Sequence, residues 1–418
     1  MANLWLNHLR HHIKNIFKLT PSKNHFCIVS FFHAIACVNL TSKQPLLRWI
    51  WNAYRACMVL HYVLCGIRFS MTVRTSENFN SVMNNMHVII TFTINNMRSF
   101  IIFANFEHFA RVKNFINNRK YRKDHAGSGE VRRKTYEHAV KVTMFFVGNV
   151  IFQALSFLIS GMANTEPFLI PMELGFLPYF AKEAVEFCYS MLFLTAPFFA
   201  ASNFLSLYLA IIGVRAELRI ALDSIGSIPD RVNQHDYAND ANEKFDQGDE
   251  FWNVLHSEMK YSIEHHVQVL DHLNIFKNVT NYSFLLLYYM TMLQIAAGVL
   301  IVIFNPVVDL FYILSIDYSF RYTLECFVFC YMVSSLNEIQ LTIGDIISHQ
   351  PWISRMRFNK QFGKQYRSVR ANLLIELTES QRQLGINCGG MFEFTLEKFT
   401  HIIKTSYSIT MFLWTFRK

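Results

Sequence analysis

Four residues near the end of the chain fall on one face of a predicted helix: Ser408, Phe412, Thr415 and Phe416. Their spacing of i, i+4, i+7 and i+8 places them on one side of an α-helix. A narrow face of small hydroxyls and two phenyl rings suits an ion pore that is partly polar and is closed by apolar side chains. Small residues also let membrane helices pack closely, so the pattern fits a helix contact equally well.

Charged residues inside apolar segments are the next candidates for chemistry. Asp317, Arg321 and Glu325 are spaced i, i+4 and i+8, so one helical face carries an acid, a base and an acid. Because a charge in hydrocarbon needs a partner or a cavity, we expect a self-neutralising ladder here rather than a direct ligand site. Arg98 has no local partner and is expected to pair elsewhere in the bundle.

Motifs for enzymatic chemistry are missing from the sequence. It contains no Gly-rich phosphate loop, no HExxH and no GxSxG. The adjacent pairs His11-His12 and His265-His266 point to different helix faces, a poor geometry for a metal. The acid-rich stretch 223–250 lacks EF-hand spacing and is predicted to be a solvated loop. The sequence therefore predicts a protein that is not an enzyme and has no cofactor or metal.

Composition shows which elements must position these residues. The chain is 52% hydrophobic with a mean hydropathy of +0.19, and charged residues make up 17%, against about 25% in ordinary globular proteins. This combination predicts an all-α polytopic membrane protein. The net charge of +9 does not indicate nucleic-acid binding, because the basic residues are confined to particular loops.

Helical hydropathy predicts seven membrane spans of suitable length. They are Trp49–Phe69, Val82–Phe106, Val140–Ser160, Lys182–Ile212, Asn278–Phe304, Val308–Val333 and Phe392–Phe416. The fourth and sixth spans carry charged residues, so two shorter helices are an alternative interpretation of each. The N-terminal segment 1–48 contains the apolar run Phe26–Val38, which is too short to span and is interpreted as a re-entrant or interfacial helix.

Basic residues orient the predicted bundle. One set of loops holds 28 Lys and Arg residues and the other holds three, so the positive-inside rule predicts a cytoplasmic N-terminus and an extracellular C-terminus. Leu207–Ala221, Phe251–Leu273 and Ser354–Leu384 have helical periodicity with polar faces and are predicted to form a cytoplasmic platform. The acidic loop Gly161–Phe180 is expected to cap the extracellular mouth.

An ordered series of short motifs occupies about eighty residues at the C-terminus. The motifs are Gly344-Asp345 followed by Trp352, then Leu373-Leu374, Ser380-Gln381, Gly389-Gly390-Met391-Phe392, and Phe399 leading to Ile403-Lys404-Thr405-Ser406-Tyr407-Ser408. This series resembles the C-terminal signature of insect odorant receptors. Upstream, the resemblance extends only to helix spacing and loop lengths. It implies a seven-helix, ligand-gated cation channel that assembles as a tetramer with a common co-receptor.

The resemblance favours the pore interpretation of the last helix. It implies that Phe412 and Phe416 hold the positions of an apolar gate that closes by dewetting, with Thr415 at the outer constriction. Phenyl rings are bulkier than the aliphatic side chains common at that gate, which fits a tighter closed state or a gate supplied mainly by co-receptor subunits. The implied organisation is a ligand-binding bundle at 49–333, with helix extensions and a loop at 213–277, an anchor at 334–391 and a pore helix at 392–418.

The extracellular halves of spans two, three, four and six are expected to face each other around a ligand. The candidate ligand-binding residues are His87, Thr91, Phe92, Phe152, Ser156, Ser190, Phe193, Tyr318 and Tyr322. An aromatic, weakly polar cavity would bury a small volatile molecule by shape and dispersion, with one or two polar groups orienting it. The alternative is that these aromatics fill the core, and we expect part of the set to do so.

The sequence is thus interpreted as the tuning subunit of a nonselective cation channel in the plasma membrane, by resemblance in sensory-neuron dendrites. Its expected partners are the co-receptor, a volatile ligand and membrane lipid, with no nucleic acid. A gustatory receptor of the same architecture is the closest alternative; Thr405-Ser406-Tyr407 and the absence of Gln before Phe416 disfavour it. A transporter would show internal repeats, and a G-protein-coupled receptor would close its third span with a DRY motif.

Overall fold

The computed structural model describes residues 24–40, 44–76, 79–118, 120–122, 126–172, 175, 178–232, 249–304, 310–349, 358 and 360–415. The α-helices of this part are α1 (Cys27–Ile35), α2 (Pro45–Thr75), α3 (Phe79–Ala104), α4 (Phe106–Asn118), α5 (Ala126–Ile159), α6 (Tyr179–Leu192), α7 (Ala196–Gly226), α8 (Asp249–Phe304), α9 (Leu310–His349), α10 (Gly363–Ser380) and α11 (Leu396–Thr415). Two short strands, β1 (Asn387–Cys388) and β2 (Phe392–Glu393), pair antiparallel.

Helix α7 lies at the centre of the bundle. Most of its residues are buried, and its first part, residues 196–214, carries no charged side chain, as expected for a helix segment surrounded by other helices. It packs against α1, α3, α4, α5, α8 and α9. Gly213 lets α4 approach closely, because a Cβ there would lie 2.7 Å from the Cδ1 atom of Ile116.

Six helices in the described part are long and apolar enough to cross a membrane. They correspond to the first six predicted spans. The seventh, α11, has 20 residues, about 30 Å of helix, which matches the hydrocarbon thickness of a bilayer. It is less apolar than the others because Glu397, Lys398, His401 and Lys404 occupy its first half.

The fourth span consists of two helices, which is one of the two interpretations that its sequence left open. A 3₁₀ turn at Phe193–Thr195 separates α6 from α7, and Pro197 follows in the first turn of α7. Proline fits there because the backbone N–H groups of a first helical turn have no intrahelical partner. The break considered for the sixth span does not occur, since α9 runs unbroken over 40 residues.

Helix α8 is longer than a bilayer is thick, and its N-terminal part lies on the predicted cytoplasmic side. Helix α8 has 56 residues and is therefore about 84 Å long, against about 30 Å of hydrocarbon. Its N-terminal part packs with α10 around Trp252, Phe362 and Val369. We call this assembly the platform. Of the segments predicted for it, Phe251–Leu273 lies in α8 and α10 covers part of Ser354–Leu384. Leu207–Ala221 instead belongs to α7 and is mostly buried in the main core.

The helix predicted over Phe392–Phe416 starts later than expected. Phe392 belongs to β2 instead, and the turn before it has Gly389 and Gly390 at φ values of 59° and 75°. Non-glycine residues rarely adopt such values, so the Gly-Gly pair of the sequence motif makes this turn. The Asn281 backbone and side-chain oxygens accept hydrogen bonds from the two glycine N–H groups at 3.0 and 3.1 Å. The motif thereby anchors the start of α11 to α8.

Another pair of motif residues also has a structural role. Gly344 of α9 faces Ser380 of α10, whose Oγ atom would lie 2.7 Å from a Cβ at position 344. Next to this contact, the Gln340 side chain donates to the Glu379 carbonyl at 3.1 Å. Glycine at 344 thus lets α9 and α10 meet closely. Trp352, from the same motif series, lies outside the described residues.

The short N-terminal apolar run forms α1, which has nine residues and cannot span a membrane. Phe26, Val29 and Phe32 are buried in the main core. The ring of His33 hydrogen-bonds the Ser206 hydroxyl of α7, with 2.6 Å between Nε2 and Oγ. The segment is therefore docked onto the bundle, and its re-entrant or interfacial position stays a prediction.

Candidate ligand cavity and pore helix

A cavity lies between α3, α5 and α9, toward the predicted extracellular side. Its volume is about 60 Å³, counted as the space that the centre of a water molecule can reach. One water needs about 10–15 Å³ on that measure, so the cavity suits a compact ligand. Most of its lining is aromatic or aliphatic, with a few polar side chains among them.

Five of the nine predicted ligand residues line this cavity: His87, Thr91, Phe92, Phe193 and Tyr318. The first three come from one face of α3, the fourth from the 3₁₀ turn before α7, and the fifth from α9. The break in the fourth span is what brings Phe193 inward. Its ring packs edge-on against Phe92 at 5.2 Å between centroids.

The other four predicted residues lie elsewhere. Phe152 is 47% exposed on the outside of α5, because the inward face of that helix runs through Gln153 and Phe157. Ser156 and Ser190 are buried without lining the cavity. Tyr322 is fully buried one turn below Tyr318, where its hydroxyl donates to Asn95 Oδ1 at 2.8 Å.

Several lining residues were missed by sequence reasoning. They are Val88, Gln153, Ala154, Phe157, Met162, Phe168, Leu194, Ala196, Pro197, Phe311, Leu314 and Ser315. Helical spacing from Tyr318 would have found three of them, since Phe311, Leu314 and Ser315 precede it by seven, four and three residues. Phe168 and Met162 come from a loop, where no periodicity applies.

The loop between α5 and α6 corresponds to the predicted capping loop Gly161–Phe180. Its described residues close the cavity on the predicted extracellular side. Phe168 packs edge-on against Phe193 at 4.8 Å between ring centroids. Glu166 ties this loop to α2: its Oε1 atom accepts from Thr72 at 3.2 Å and lies 3.6 Å from the Arg68 guanidinium. The lid is thus held by both aromatic packing and an acidic anchor.

Two glutamines supply the polar part of the cavity region. The Gln294 amide donates to Thr91 Oγ1 at 3.1 Å and lies 3.1 Å from a ring nitrogen of His87. Gln153 lines the cavity and donates through Nε2 to Asp317, which also accepts from Asn149 at 3.2 Å. The buried Oε1 atom of Gln153 has no hydrogen-bond partner among the described residues. A buried acceptor of this kind favours a ligand that brings a donor.

The expected acid–base–acid ladder on the sixth span does not form. Glu325 instead pairs with Arg98 of α3, and both side chains are completely buried. The Arg98 Nε group also donates to Ser283 at 3.3 Å, so the prediction that Arg98 pairs elsewhere in the bundle is confirmed. Arg321 lies over the Phe146 ring at 5.2 Å. Glu325, Asp317 and Arg321 thus each find a partner on another helix, as charged groups among membrane spans require.

The predicted pore residues lie on α11. Ser408, Phe412 and Thr415 are all exposed, with Phe412 at 60%, while Phe416 lies outside the described residues. The opposite face carries Ile402 and packs against α8 and α9. In the single chain, therefore, the side of α11 that would face a pore is uncovered.

No group of three or more potential metal ligands occurs in the part of the chain that the structure describes. The acid-rich stretch considered for calcium falls largely within 233–248, outside those residues.

These features define a class of protein: an all-α membrane protein with a small aromatic cavity among its spans. Residues 78–407 match the family described as 7tm Odorant receptor. The chain belongs to that family of receptors, so the family predicted from the C-terminal motifs is confirmed. No match was found among curated proteins.

The fold is similar to solved structures of the insect olfactory receptor OR5 from Machilis hrabei. One covers 97% of this chain and 98% of its own, with 12% sequence identity and a TM-score of 0.69. The same receptor in complex with eugenol covers 98% of each chain, with 12% identity and a TM-score of 0.68. At this identity the similarity establishes the fold, and the all-α membrane architecture predicted from sequence is confirmed. The orientation of the termini stays a prediction.

Proposed function

We propose that this chain is the odorant-binding subunit of a ligand-gated cation channel in the plasma membrane, and that it assembles with a co-receptor. The observation that carries the proposal is the closed aromatic cavity between α3, α5 and α9 in a member of the odorant receptor family. By family, the membrane is that of sensory-neuron dendrites. The cavity faces the side from which a volatile ligand would arrive under the predicted orientation.

The cavity chemistry narrows the ligand class. Its aromatic walls favour a compact, largely apolar molecule held by shape and dispersion. The free Oε1 acceptor of Gln153 favours one hydrogen-bond donor on that molecule, such as a hydroxyl group. Eugenol, bound in one of the similar receptor structures, is a suitable first probe.

Helix α9 offers a route from cavity to pore. Ser315 and Tyr318 line the cavity, and further along the same helix Phe327 packs edge-on against Phe399 of α11, with 5.4 Å between ring centroids. A ligand that binds more tightly when α9 is displaced would therefore favour a displaced α11. Only such a difference in affinity between closed and open states can drive gating.

The uncovered face of α11 supports a role for Phe412 in an apolar gate. In a tetramer, the rings of neighbouring subunits would meet at the axis and exclude water, and outward tilting of α11 would rewet the pore. By the family resemblance, Phe416 would join Phe412 in the gate, and Thr415 would lie at the outer constriction. Sodium and potassium would both pass, since the described residues of this face, Ser408, Phe412 and Thr415, provide no rigid ring of ion ligands.

Whole-cell current recording tests the proposal. Cells expressing the chain alone, the co-receptor alone, or both are exposed to a panel of compact hydroxylated and non-hydroxylated volatiles. We expect cation current evoked by ligand only when both chains are present and more strongly by hydroxylated members. Surface labelling verifies expression in each case.

The outcomes separate the parts of the proposal. Current from the chain alone would replace the heteromer with a self-sufficient homomer. Labelled surface protein without any evoked current across the panel, with the co-receptor present, would overturn the channel function.

A further inference from the structure

A second cavity lies beside α7, far from the aromatic cavity. We call it the basic groove; it is lined by Lys134 and His138 of α5, Arg215 and Arg219 of α7, and Ser335 and Glu338 of α9, among others. Its volume is about 520 Å³ on the same measure as the aromatic cavity. The central helix forms its floor, and the two neighbouring helices form its walls.

The groove begins where three membrane spans end. The predicted spans of α5, α7 and α9 terminate at Val140, Ile212 and Val333. His138, Arg215 and Ser335 lie two or three residues beyond those ends, which is about 3–5 Å along a helix. Under the predicted orientation, the groove therefore opens at the headgroup level of the cytoplasmic leaflet.

The charge of the groove is positive. Glu338 is the acidic residue in the lining, against Lys134, Arg215 and Arg219. Two of these cations have exposed acidic neighbours on their own helices, with Lys134 Nζ 3.3 Å from Glu130 and Arg219 Nε 3.4 Å from Asp223. Such exposed pairs are weak and exchange readily for a stronger anion.

Arg215 is the best positioned of the three. Its Nε group donates to Ser335 Oγ at 2.9 Å, which fixes the guanidinium at the floor of the groove. Within the described part of the chain, no carboxylate lies within 4.0 Å of it. A half-buried arginine that is held but not neutralised is suited to a phosphate, which it binds bidentately. Thr135 and Thr342 add hydroxyl donors to the walls.

We infer that the basic groove binds the headgroup of an anionic phospholipid from the cytoplasmic leaflet. The group that the groove would recognise is a phosphate monoester or diester. An anionic phospholipid and a soluble inositol phosphate both carry such a group. The position at the ends of three spans favours the lipid, since acyl chains could lie against the apolar outer surfaces of α5 and α9. Within the predicted spans, Phe145 is exposed on α5 and Tyr331 on α9.

The test uses the full-length chain in nanodiscs of zwitterionic lipid, with a fluorescent phosphatidylinositol bisphosphate added at increasing mole fraction. Binding is measured by energy transfer from protein tryptophans. The groove variant carries Lys134→Gln and Arg215→Gln. The matched control carries Arg367→Gln and Arg370→Gln, which remove the same charge from exposed positions on α10.

We expect the groove variant to bind at least about tenfold more weakly, because each basic residue near a leaflet contributes to anionic lipid binding. The control should change less than about twofold. Because Arg215 is half-buried, Arg219→Gln serves as a second, exposed groove variant, and thermal unfolding verifies that each protein is folded.

Soluble inositol trisphosphate distinguishes the two sources. Binding of the diacyl lipid well above that of the soluble headgroup supports the inference, and equal affinities would assign the groove to a soluble anion instead. Equal losses in groove and control variants, or no binding by the unmodified chain, would overturn the site. No part of this readout depends on odorant or current, so it stands apart from the channel proposal.

Discussion

Two carboxylates on α9, one fully buried and one partly buried, have different hydrogen-bond and ion-pair partners, and these partners indicate different roles. Glu325 pairs with Arg98 in a completely buried contact between α9 and α3. Asp317 accepts from Gln153 and Asn149 of α5, next to the aromatic cavity. The first contact connects two spans in the core, whereas the second orients a side chain that lines the ligand cavity. We therefore expect substitution of the first to alter stability and of the second to alter ligand response.

Arg98→Met tests the first role. It leaves the Glu325 carboxylate buried without its cation, which destabilises a protein by about 3–5 kcal/mol. We expect a clear loss of thermal stability in detergent and of surface expression. The double variant Arg98→Met, Glu325→Leu removes both charges and should recover most of the loss. If the double variant unfolds as early as the single one, packing around Arg98 matters more than its charge.

Gln153→Leu tests the second role. It removes the free acceptor in the cavity, so ligands with a hydroxyl donor should lose about tenfold in potency, as expected for about 1–1.5 kcal/mol of hydrogen bonding. Methyl ethers of the same ligands should change much less. Phe152→Leu alters the neighbouring residue on the outer face of α5 and serves as the control in dose–response recordings. An equal shift for ethers and alcohols would contradict the role of Oε1.

At the scale of elements, the turn before α11 shows where periodicity stops being informative. Hydropathy continues through Phe392, so a sequence pattern extends the helix back to that residue. The chain instead forms β1 and β2, because two glycines with positive φ make a tight turn against α8. The motif Gly389-Gly390 was visible in the sequence as a signature, but its contact with Leu285 depends on folding.

Gly389→Ala and Gly390→Ala form a matched pair for this turn. Both place a Cβ on a residue with positive φ, which costs about 1–2 kcal/mol. At position 389 the new Cβ would also lie 2.6 Å from Leu285 Cδ2, whereas position 390 is open. We expect the thermal midpoint to fall for both variants and to fall further for Gly389→Ala. Equal midpoints would show that Leu285 moves aside without cost.

The platform contains a titratable contact between α8 and α10. Burial lowers the pKa of His266, but the hydrogen bond and negative charge of Glu376 outweigh burial, with help from Gln340 and Glu379, and the net shift is upward. His265 behaves oppositely: burial, followed by the Arg132 charge, lowers its pKa to about 3, so it stays neutral at ordinary pH. The pKa values of the two neighbouring histidines therefore shift in opposite directions, and the folded-state pKa of His266 lies above its unfolded value.

The raised pKa of His266 predicts a direction for platform stability. Its contribution is fully present below the unfolded value of about 6.5 and is lost as pH rises through the higher folded value. We expect the thermal midpoint of the purified protein to decline from slightly acidic to slightly alkaline pH. His266→Asn should flatten this decline, and the exposed His349→Asn should leave it unchanged. A decline that persists unaltered in His266→Asn would assign it to other groups.

At the scale of the whole molecule, the sequence predicted which segments form helices better than it predicted which face of each helix points into the bundle. The spans, the platform and the family were predicted because hydropathy, charge and motifs are local properties. Phe152 was predicted to face the cavity, but its neighbour Gln153 lines it, since a shift of one residue turns a side chain by about 100° around the helix. The Arg98–Glu325 pair joins residues 227 positions apart, and no local pattern specifies such a partner.

Phe412→Ala tests the assembled channel. Removing a phenyl ring from the uncovered face of α11 should weaken dewetting of the closed pore, so we expect increased current without ligand in cells that also express the co-receptor. Phe100→Ala removes an equally exposed ring from α3 and should leave resting current unchanged. Identical resting currents in both variants would place Phe412 outside the gate or assign the gate to co-receptor residues.

Helix α8 runs without interruption from Trp252 in the platform to Gln294 beside the aromatic cavity. One inserted or deleted residue between them would rotate one end against the other by about 100° and shift it by about 1.5 Å. The contacts of Trp252 in the platform and those of Gln294 beside the cavity could then not both be kept. The number of residues between these two positions is thus fixed more strictly than their identity, and natural length variation in such a receptor should be confined to its loops.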